Sequence, residues 1–323
     1  MESTEMRAFV TRELPAATLQ RVREIAEVEV WPEPLPPLQE VLRAKAAEVE
    51  GLLCLLTDRI DTELLESAPR LKVVSQMAVG YDNIDVKACM ARGIVVGNTP
   101  GVLTETTADL AFALLLATAR NLVEAEQYTR SGAWRTWSPM LLTGPDVHHA
   151  TLGIVGMGRI GYEMARRAHG FQMRIVYTAR RPHPEVERDF GAQHVDLDTL
   201  LAVSDFVSLH LPFSAATKHF IGATELVKMK PAALLINTAR GGVVDQAALV
   251  AALRAGTIAG AGLDVFEIEP LPLDDPLLQL TNVTLLPHVG SASTATRTRM
   301  AELAAENLIC GLLGKPLPHP VTA

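Results

Sequence analysis

Arg240, Glu269 and His288 each stand just beyond a short apolar run that reads as a β-strand: Leu234-Leu-Ile-Asn-Thr-Ala239, Leu263-Asp-Val-Phe-Glu-Ile268 and Leu285-Leu-Pro287. Ligands in open α/β sheets bind outside the carboxyl ends of the strands, so these three side chains are expected in one cleft. A guanidinium holds a carboxylate through two parallel hydrogen bonds, and an imidazole exchanges a proton with a carbonyl or hydroxyl oxygen. A neighbouring carboxylate orients that imidazole and favours its protonated form, which suits a general acid near neutral pH. Singly, the three also read as an arginine opening a helix, a turn glutamate before Pro270 and a satisfied core histidine. Beside a nicotinamide they specify carbonyl reduction or its reverse, with Arg240 fixing an acid group next to the reacting carbon.

The redox partner is foreshadowed by Thr151-Leu-Gly-Ile-Val-Gly-Met-Gly-Arg-Ile-Gly161, where an apolar run leads into Gly156-x-Gly158-x-x-Gly161. The first glycine permits a tight turn, the second lets backbone approach a pyrophosphate, and the third lets helix pack closely on strand. Free N–H groups at the helix start, at Arg159 and Ile160, then face the anion. Helical Tyr162–His169 and strand-like Gly170–Thr178 complete a βαβ unit. The second strand ends in Thr178-Ala-Arg-Arg-Pro182, where an NAD site usually carries Asp or Glu. Arg180, roughly 20 residues beyond the glycines, and Arg181 stand there instead, and no carboxylate stands near. An arginine accommodates a 2′-phosphate, so NADP(H) is favoured over NAD(H).

Elements that could hold these residues follow from alternating strand-like and helical runs, the mark of doubly wound parallel sheets. Strands are predicted over 7–10, 28–31, 51–56, 71–75 and 94–96, with helices over 15–26 and 38–47. A second series begins near Thr151 and continues through 206–211, 233–237, 260–265 and 283–286. Between the series, Thr104–Arg120 reads as a long, largely apolar helix that would join the two domains. The length of 323 residues exceeds what one compact core usually holds. Expected boundaries are 1–98 with 288–323 for a discontinuous substrate-binding domain and 99–287 for the dinucleotide domain.

Composition sets outer limits. Hydrophobic residues make up 48% and charged residues 20%, and the net charge is −8, which disfavours nucleic acid as a partner. Cys54, Cys89 and Cys310 lie far apart without CxxC spacing and suit a reducing compartment, the cytoplasm. The start Met1-Glu-Ser-Thr-Glu-Met-Arg7 is polar and the longest apolar run, 110–119, is too short to span a bilayer, so neither export nor membrane insertion is expected. Adjacent His148 and His149 have no metal-ligand spacing, and no metal is expected.

The chain resembles the D-2-hydroxyacid dehydrogenase family along nearly its whole length. The motifs are Met77-Ala-Val-Gly-Tyr-Asp-Asn-Ile-Asp85, the glycine fingerprint, Met229-Lys-Pro-Ala-Ala-Leu-Leu-Ile-Asn-Thr-Ala-Arg-Gly-Gly-Val-Val-Asp245, Ala261-Gly-Leu-Asp-Val-Phe-Glu-Ile-Glu-Pro270 and Pro287-His-Val-Gly-Ser291. The resemblance implies a Rossmann coenzyme domain, a flavodoxin-like substrate domain built from both chain ends, and catalytic roles for Arg240, Glu269 and His288. It also implies a carboxylate nest at Val79 and Gly80, a substrate-side place for Ser291, and cofactor-lining places for Thr107, Leu211, Thr238, Asp264 and Gly290.

Within the family the chain is most similar to glyoxylate/hydroxypyruvate reductases, through Leu52-Leu-Cys-Leu-Leu-Thr-Asp58 and Gly132-Ala-Trp-Arg-Thr-Trp-Ser-Pro139. This implies a homodimer in which Trp137 reaches the partner's site and helps select small hydroxylated substrates; helix-end packing of Trp134 and Trp137 is the competing reading. Short-form phosphoglycerate or phosphite dehydrogenase would share the same catalytic residues. A non-enzymatic cofactor-sensing scaffold is the alternative from another class, and turnover separates it.

Overall fold

The computed structural model describes residues 6–322, so Met1–Glu5 of the polar start lies outside the described residues. The chain divides into two compact units. One runs to Leu103 and resumes at Ala292; the other is the continuous stretch Thr104–Ser291.

The first unit holds β1 (Arg7–Val10), β2 (Glu27–Val30), β3 (Gly51–Cys54), β4 (Val73–Gln76) and β5 (Val95–Gly97). They form an all-parallel sheet in the order β2-β1-β3-β4-β5, the winding of flavodoxin-like domains. β3 and β4 bury every residue, and β3 is apolar throughout, whereas β4 buries Ser75 and Gln76 as polar groups and edge strand β2 turns Glu27 and Glu29 to solvent. The C-terminal helix Thr294–Leu312, capped by Ser293, covers this sheet: Ser75 Oγ donates to Ala304 O at 2.7 Å.

The second unit holds β6 (Thr151–Val155), β7 (Arg174–Thr178), β8 (Gln193–His194), β9 (Phe206–Leu209), β10 (Leu234–Asn237), β11 (Gly260–Leu263) and β12 (Val283–Leu285). Their order is β12-β11-β10-β9-β6-β7-β8, again parallel throughout. The order reverses between β6 and β9, the switch point where dinucleotide folds open their crevice. β7 starts at Arg174 rather than Gly170, because Gly170 ends the preceding helix and Gln172 takes a left-handed turn with φ 56°.

Two expectations shift. The helix Thr104–Ala119 is part of the second unit rather than a joint, since it packs on the helix Arg159–Gly170 and on β10 and β11. The units part at 103/104 and 291/292, against expected boundaries at 98/99 and 287/288. Side-chain and backbone bonds account for this. Asn98 Nδ2 donates to Val79 O (2.8 Å) and the Thr99 N–H to Ala78 O (2.9 Å), holding that exit in the first unit. The His288 N–H donates to Asp264 O (2.9 Å) and the Val289 N–H to Asp264 Oδ1 (2.8 Å), holding the segment after β12 in the second.

Close contact between the C-terminal helix and β4 yields a stability test. A Cβ on Gly311 would lie 2.4 Å from Val73 Cγ2 and 2.5 Å from Val73 Cβ. Helix propensity favours alanine by about 1 kcal/mol, but overpacking costs about 1–3 kcal/mol, and Val73 sits on a strand paired on both sides. The clash should win. Gly311→Ala is expected to lower the urea midpoint, and a midpoint equal to or above the parent would show that the helix moves off the strand freely.

Candidate active site

Parallel register aligns the carboxyl ends of β10, β11 and β12, with Leu234 opposite Gly260 and Ala261 opposite Val283. Asp264, the residue after β11, joins all three ends. Its N–H donates to Asn237 O (2.9 Å), its carbonyl accepts from the His288 N–H, and its Oδ1 accepts from the Val289 N–H. Buried Asn237 shapes the turn beyond β10, accepting from the Ala239 N–H at Oδ1 (3.0 Å) and donating through Nδ2 to Arg240 O (3.0 Å). Arg240 Nη1 folds back to Ala239 O at 2.8 Å.

Three strand ends thus deliver Arg240, Glu269 and His288 to one edge of the second unit. His288 Nδ1 lies 2.6 Å from Glu269 Oε2, and Glu269 Oε1 accepts from the Phe266 N–H at 3.0 Å. His288 has φ 54°, a left-handed conformation that is uncommon for a residue with a side chain. Burial pushes the half-buried Glu269 carboxyl upward, but the His288 hydrogen bond and charge, the Phe266 N–H and the Arg240 charge together bring it below its usual range. Glu269 is therefore an ionised partner at neutral pH. With Nδ1 engaged, Nε2 is the ring nitrogen left to exchange a proton with a ligand.

A dinucleotide fits the other end of the same edge. Gly156 has φ 96°, and a Cβ there would lie 2.7 Å from His210 O and 3.0 Å from Leu211 Cδ2. At Gly161 a Cβ would lie 2.3 Å from Gly156 O, whereas at Gly158 it would meet nothing within 4 Å. Two glycines thus close the turn and the third opens it to a phosphate. No side chain caps the helix that begins at Arg159 and Ile160. Thr107, Asp264 and Gly290 come together as well: a Gly290 Cβ would lie 3.3 Å from Asp264 Oδ2 and 3.5 Å from Thr107 Cγ2. Among the described residues, buried Asp264 Oδ2 and Thr238 Oγ1 have no hydrogen-bond partner, as expected of groups awaiting a polar ligand. Burial raises the Asp264 carboxyl above its usual range, opposed by the Val289 N–H and the His288 charge.

Arg180 and Arg181 are exposed on the loop after β7. A carboxylate does stand near Arg181: Glu185, in the first turn of the helix Pro184–Phe190, is held low by a backbone N–H and by its bond to His183 Nδ1 at 3.0 Å, with the Arg181 charge adding least. The helix turns back immediately after Pro182, which brings that acid to the loop. Ser291 closes the second unit, whereas Val79 and Gly80 belong to the first. Among the described residues no intramolecular hydrogen bond engages the Val79 or Gly80 N–H groups. Trp137 is 76% exposed and follows the helix Leu122–Arg130, none of whose residues is buried.

Several supports were not read from the chain. Asn237 was visible only as a polar end to an apolar run. Tyr177, fully buried in β7, donates to Glu187 Oε1 (2.7 Å) and accepts the His183 N–H (2.7 Å), fixing both ends of the arginine loop. Among the described residues, no group of three or more His, Cys, Asp or Glu could hold a metal ion, and no helix is long and apolar enough to cross a membrane.

Known proteins agree with this geometry. Residues 112–290 match the D-isomer specific 2-hydroxyacid dehydrogenase, NAD binding domain. A glyoxylate reductase of Korarchaeum cryptofilum is 55% identical over 316 residues, covering 98% of this chain and 95% of the relative. The crystal structure of a Thermus thermophilus protein, TT0316, superposes with a TM-score of 0.92 at 48% identity, covering 98% of this chain and 100% of that one. An NADPH-dependent glyoxylate/hydroxypyruvate reductase from Sinorhizobium meliloti, in complex with NADP and malonate, gives a TM-score of 0.86 at 37% identity, covering 99% and 97%. With the paired sheets, the glycine turn and the His288–Glu269 pair, these likenesses establish that the chain belongs to the D-isomer specific 2-hydroxyacid dehydrogenase family of oxidoreductases.

Proposed function

We propose that this chain reduces small 2-oxo acids with NADPH, taking glyoxylate to glycolate and hydroxypyruvate to D-glycerate as a cytoplasmic homodimer. The observation that carries the reading is the 2.6 Å His288–Glu269 pair on the strand-end edge that also holds Arg240. Likeness to the Korarchaeum and Sinorhizobium reductases supports the substrate class, and the Sinorhizobium protein's NADP complex supports the cofactor. The buried free thiols Cys54 and Cys89 suit a reducing compartment.

In this reading Arg240 binds the substrate carboxylate and sets the keto carbon beside the cofactor. Val79 and Gly80 present backbone N–H groups to the substrate acid group, and Ser291 offers a hydroxyl. The chemistry supplied by a bound reduced nicotinamide is hydride donation to the carbonyl carbon. His288 Nε2 donates a proton to the carbonyl oxygen, and Glu269 stabilises the charged ring before that transfer. Thr107, Thr238, Asp264 and Gly290, with Leu211, would line the cofactor, and Gly156, Gly158, Arg159, Ile160 and Gly161 would receive its pyrophosphate. Arg180 and Arg181 would accommodate the 2′-phosphate of NADP(H). Steady-state rates for a panel of 2-oxo acids with NADPH and NADH test the whole reading, and turnover of phosphite or phosphoglycerate alone would overturn the substrate assignment.

Proton transfer gives the first consequence. His288→Ala should fold and bind cofactor yet lose roughly 10²–10⁴ in turnover, the usual contribution of a positioned general acid. Glu269→Gln should move the basic limb of the reduction profile to lower pH, because the ionised partner that favours the protonated ring is gone. Reduction needs the protonated ring and oxidation the neutral one, so the acidic limb of oxidation should also move to lower pH, widening the range of oxidation as that of reduction narrows. Near-parental turnover in folded His288→Ala would remove its role, and unmoved limbs in Glu269→Gln would remove the pairing.

Cofactor choice rests on Arg180. Arg180→Asp replaces a charge-assisted phosphate contact with repulsion, and such a contact contributes roughly 1.5–3 kcal/mol, or about one to two decades of preference. NADPH use should fall far more than NADH use. Equal losses with both cofactors would refute the assignment.

Trp137 tests assembly. If its exposed indole enters a neighbouring subunit, Trp137→Ala should alter discrimination between hydroxypyruvate, glyoxylate and bulkier 2-oxo acids while NADPH affinity holds. Unaltered discrimination would return the side chain to a packing role.

A further inference from the structure

Neither His219 nor Glu267 touches the strand-end pair, yet together they connect the loops that carry Arg240 and Glu269. The His219 N–H donates to Gly242 O at 2.8 Å, two residues beyond Arg240. Its Nε2 lies 2.7 Å from Glu267 Oε1, two residues before Glu269. His219 has φ 51°, so its backbone occupies the left-handed region while the ring spans these loops.

The two loops are also in direct contact. A Cβ on Gly241 would lie 1.8 Å from Phe266 C and 2.4 Å from Glu267 N, so the Arg240 turn rests on the Phe266–Glu267 peptide. That peptide adjoins the Phe266 N–H bonded to Glu269 Oε1. Gln246 clasps Glu267 from the far side: its N–H donates to Glu267 Oε1 (3.3 Å), its Oε1 accepts from the Glu267 N–H (3.1 Å), and its Nε2 donates to Asp275 Oδ2 (2.7 Å). A partly exposed imidazole–carboxylate contact adds little to global stability, so its consequence should be local. We propose that His219 and Glu267 form a positioning clamp that holds Arg240 and Glu269 in their reactive geometry.

The proposal rests on the proposed roles of Arg240, Glu269 and His288, and the test separates the two. His219→Asn removes the ring while keeping a residue type that tolerates left-handed backbone; Glu267→Ala removes the carboxylate; Glu267→Gln keeps an acceptor for His219 and for the Gln246 N–H. His219→Asn and Glu267→Ala should each lower kcat for glyoxylate about tenfold, short of the roughly hundredfold cost of a 1 Å misplacement. Each should raise the glyoxylate KM several-fold and move the basic limb of reduction in the direction expected for Glu269→Gln, with thermal unfolding near the parent. The double variant should lose no more than either single, and Glu267→Gln should recover most activity. Additive losses, or a parental KM and pH profile in the folded single variants, would overturn the clamp. His288→Ala is measured alongside: retained turnover there defeats the site reading, whereas its loss beside parental His219→Asn and Glu267→Ala defeats only the clamp.

Discussion

Asp264 is the residue on which the candidate active-site edge depends. It sits fully buried at the end of β11 and is bonded through N–H, carbonyl and carboxylate to Asn237, His288 and Val289. One residue thus couples the exits of three neighbouring strands. Parallel pairing alone would align those strands but leave their loops free to diverge. With these bonds made, His288 leaves β12 in a left-handed conformation and its ring meets Glu269. An ionisable group buried in this way is costly unless its oxygens are engaged. Oδ1 has the Val289 N–H; Oδ2 faces Thr107 and Gly290, where a polar ligand would satisfy it.

Around that joint the supporting residues are buried, and Arg240, Glu269 and His288 are partly exposed. Asn237 is buried beneath the exposed side of the Arg240 turn, and Phe266 supplies a backbone donor to a half-buried Glu269. Preorganisation of this kind keeps reacting groups from having to reorganise when charge develops. Tyr177 acts similarly at the other end of the edge. Burial and the Glu187 contact push its hydroxyl up to about 12, so it stays a neutral donor across the working range while Arg180 and Arg181 remain on the surface.

Most of the architecture was legible because its signals are local. Alternating apolar runs and helical segments marked both parallel sheets, as buried parallel strands must be apolar on both faces. The glycine spacing marked the turn at the switch point, since only absent side chains allow the contacts at Gly156 and Gly161. Arg240, Glu269 and His288 were legible as polar residues immediately after apolar runs. Unit boundaries were less so. They depend on bonds from Asn98 and Asp264 to residues far along the chain, which no local pattern reports.

The amino-acid sequence by itself therefore determined the two-sheet α/β architecture, the glycine turn and which polar side chains stand at the strand ends. Backbone sterics and the apolar faces of strands and helices act over a few residues, so their consequences are written in short stretches. Tertiary structure alone decided that Asp264 joins three strand ends, that Asn237 and Tyr177 brace the loops, and that His219 meets Glu267. The Asp264 bonds and the His219–Glu267 contact link residues brought together only when the strands of the second unit pair and their loops pack, whereas the Asn237 and Tyr177 bonds close turns of a few residues. Hydrogen-bond geometry exists only after that packing, and no spacing along the chain encodes it.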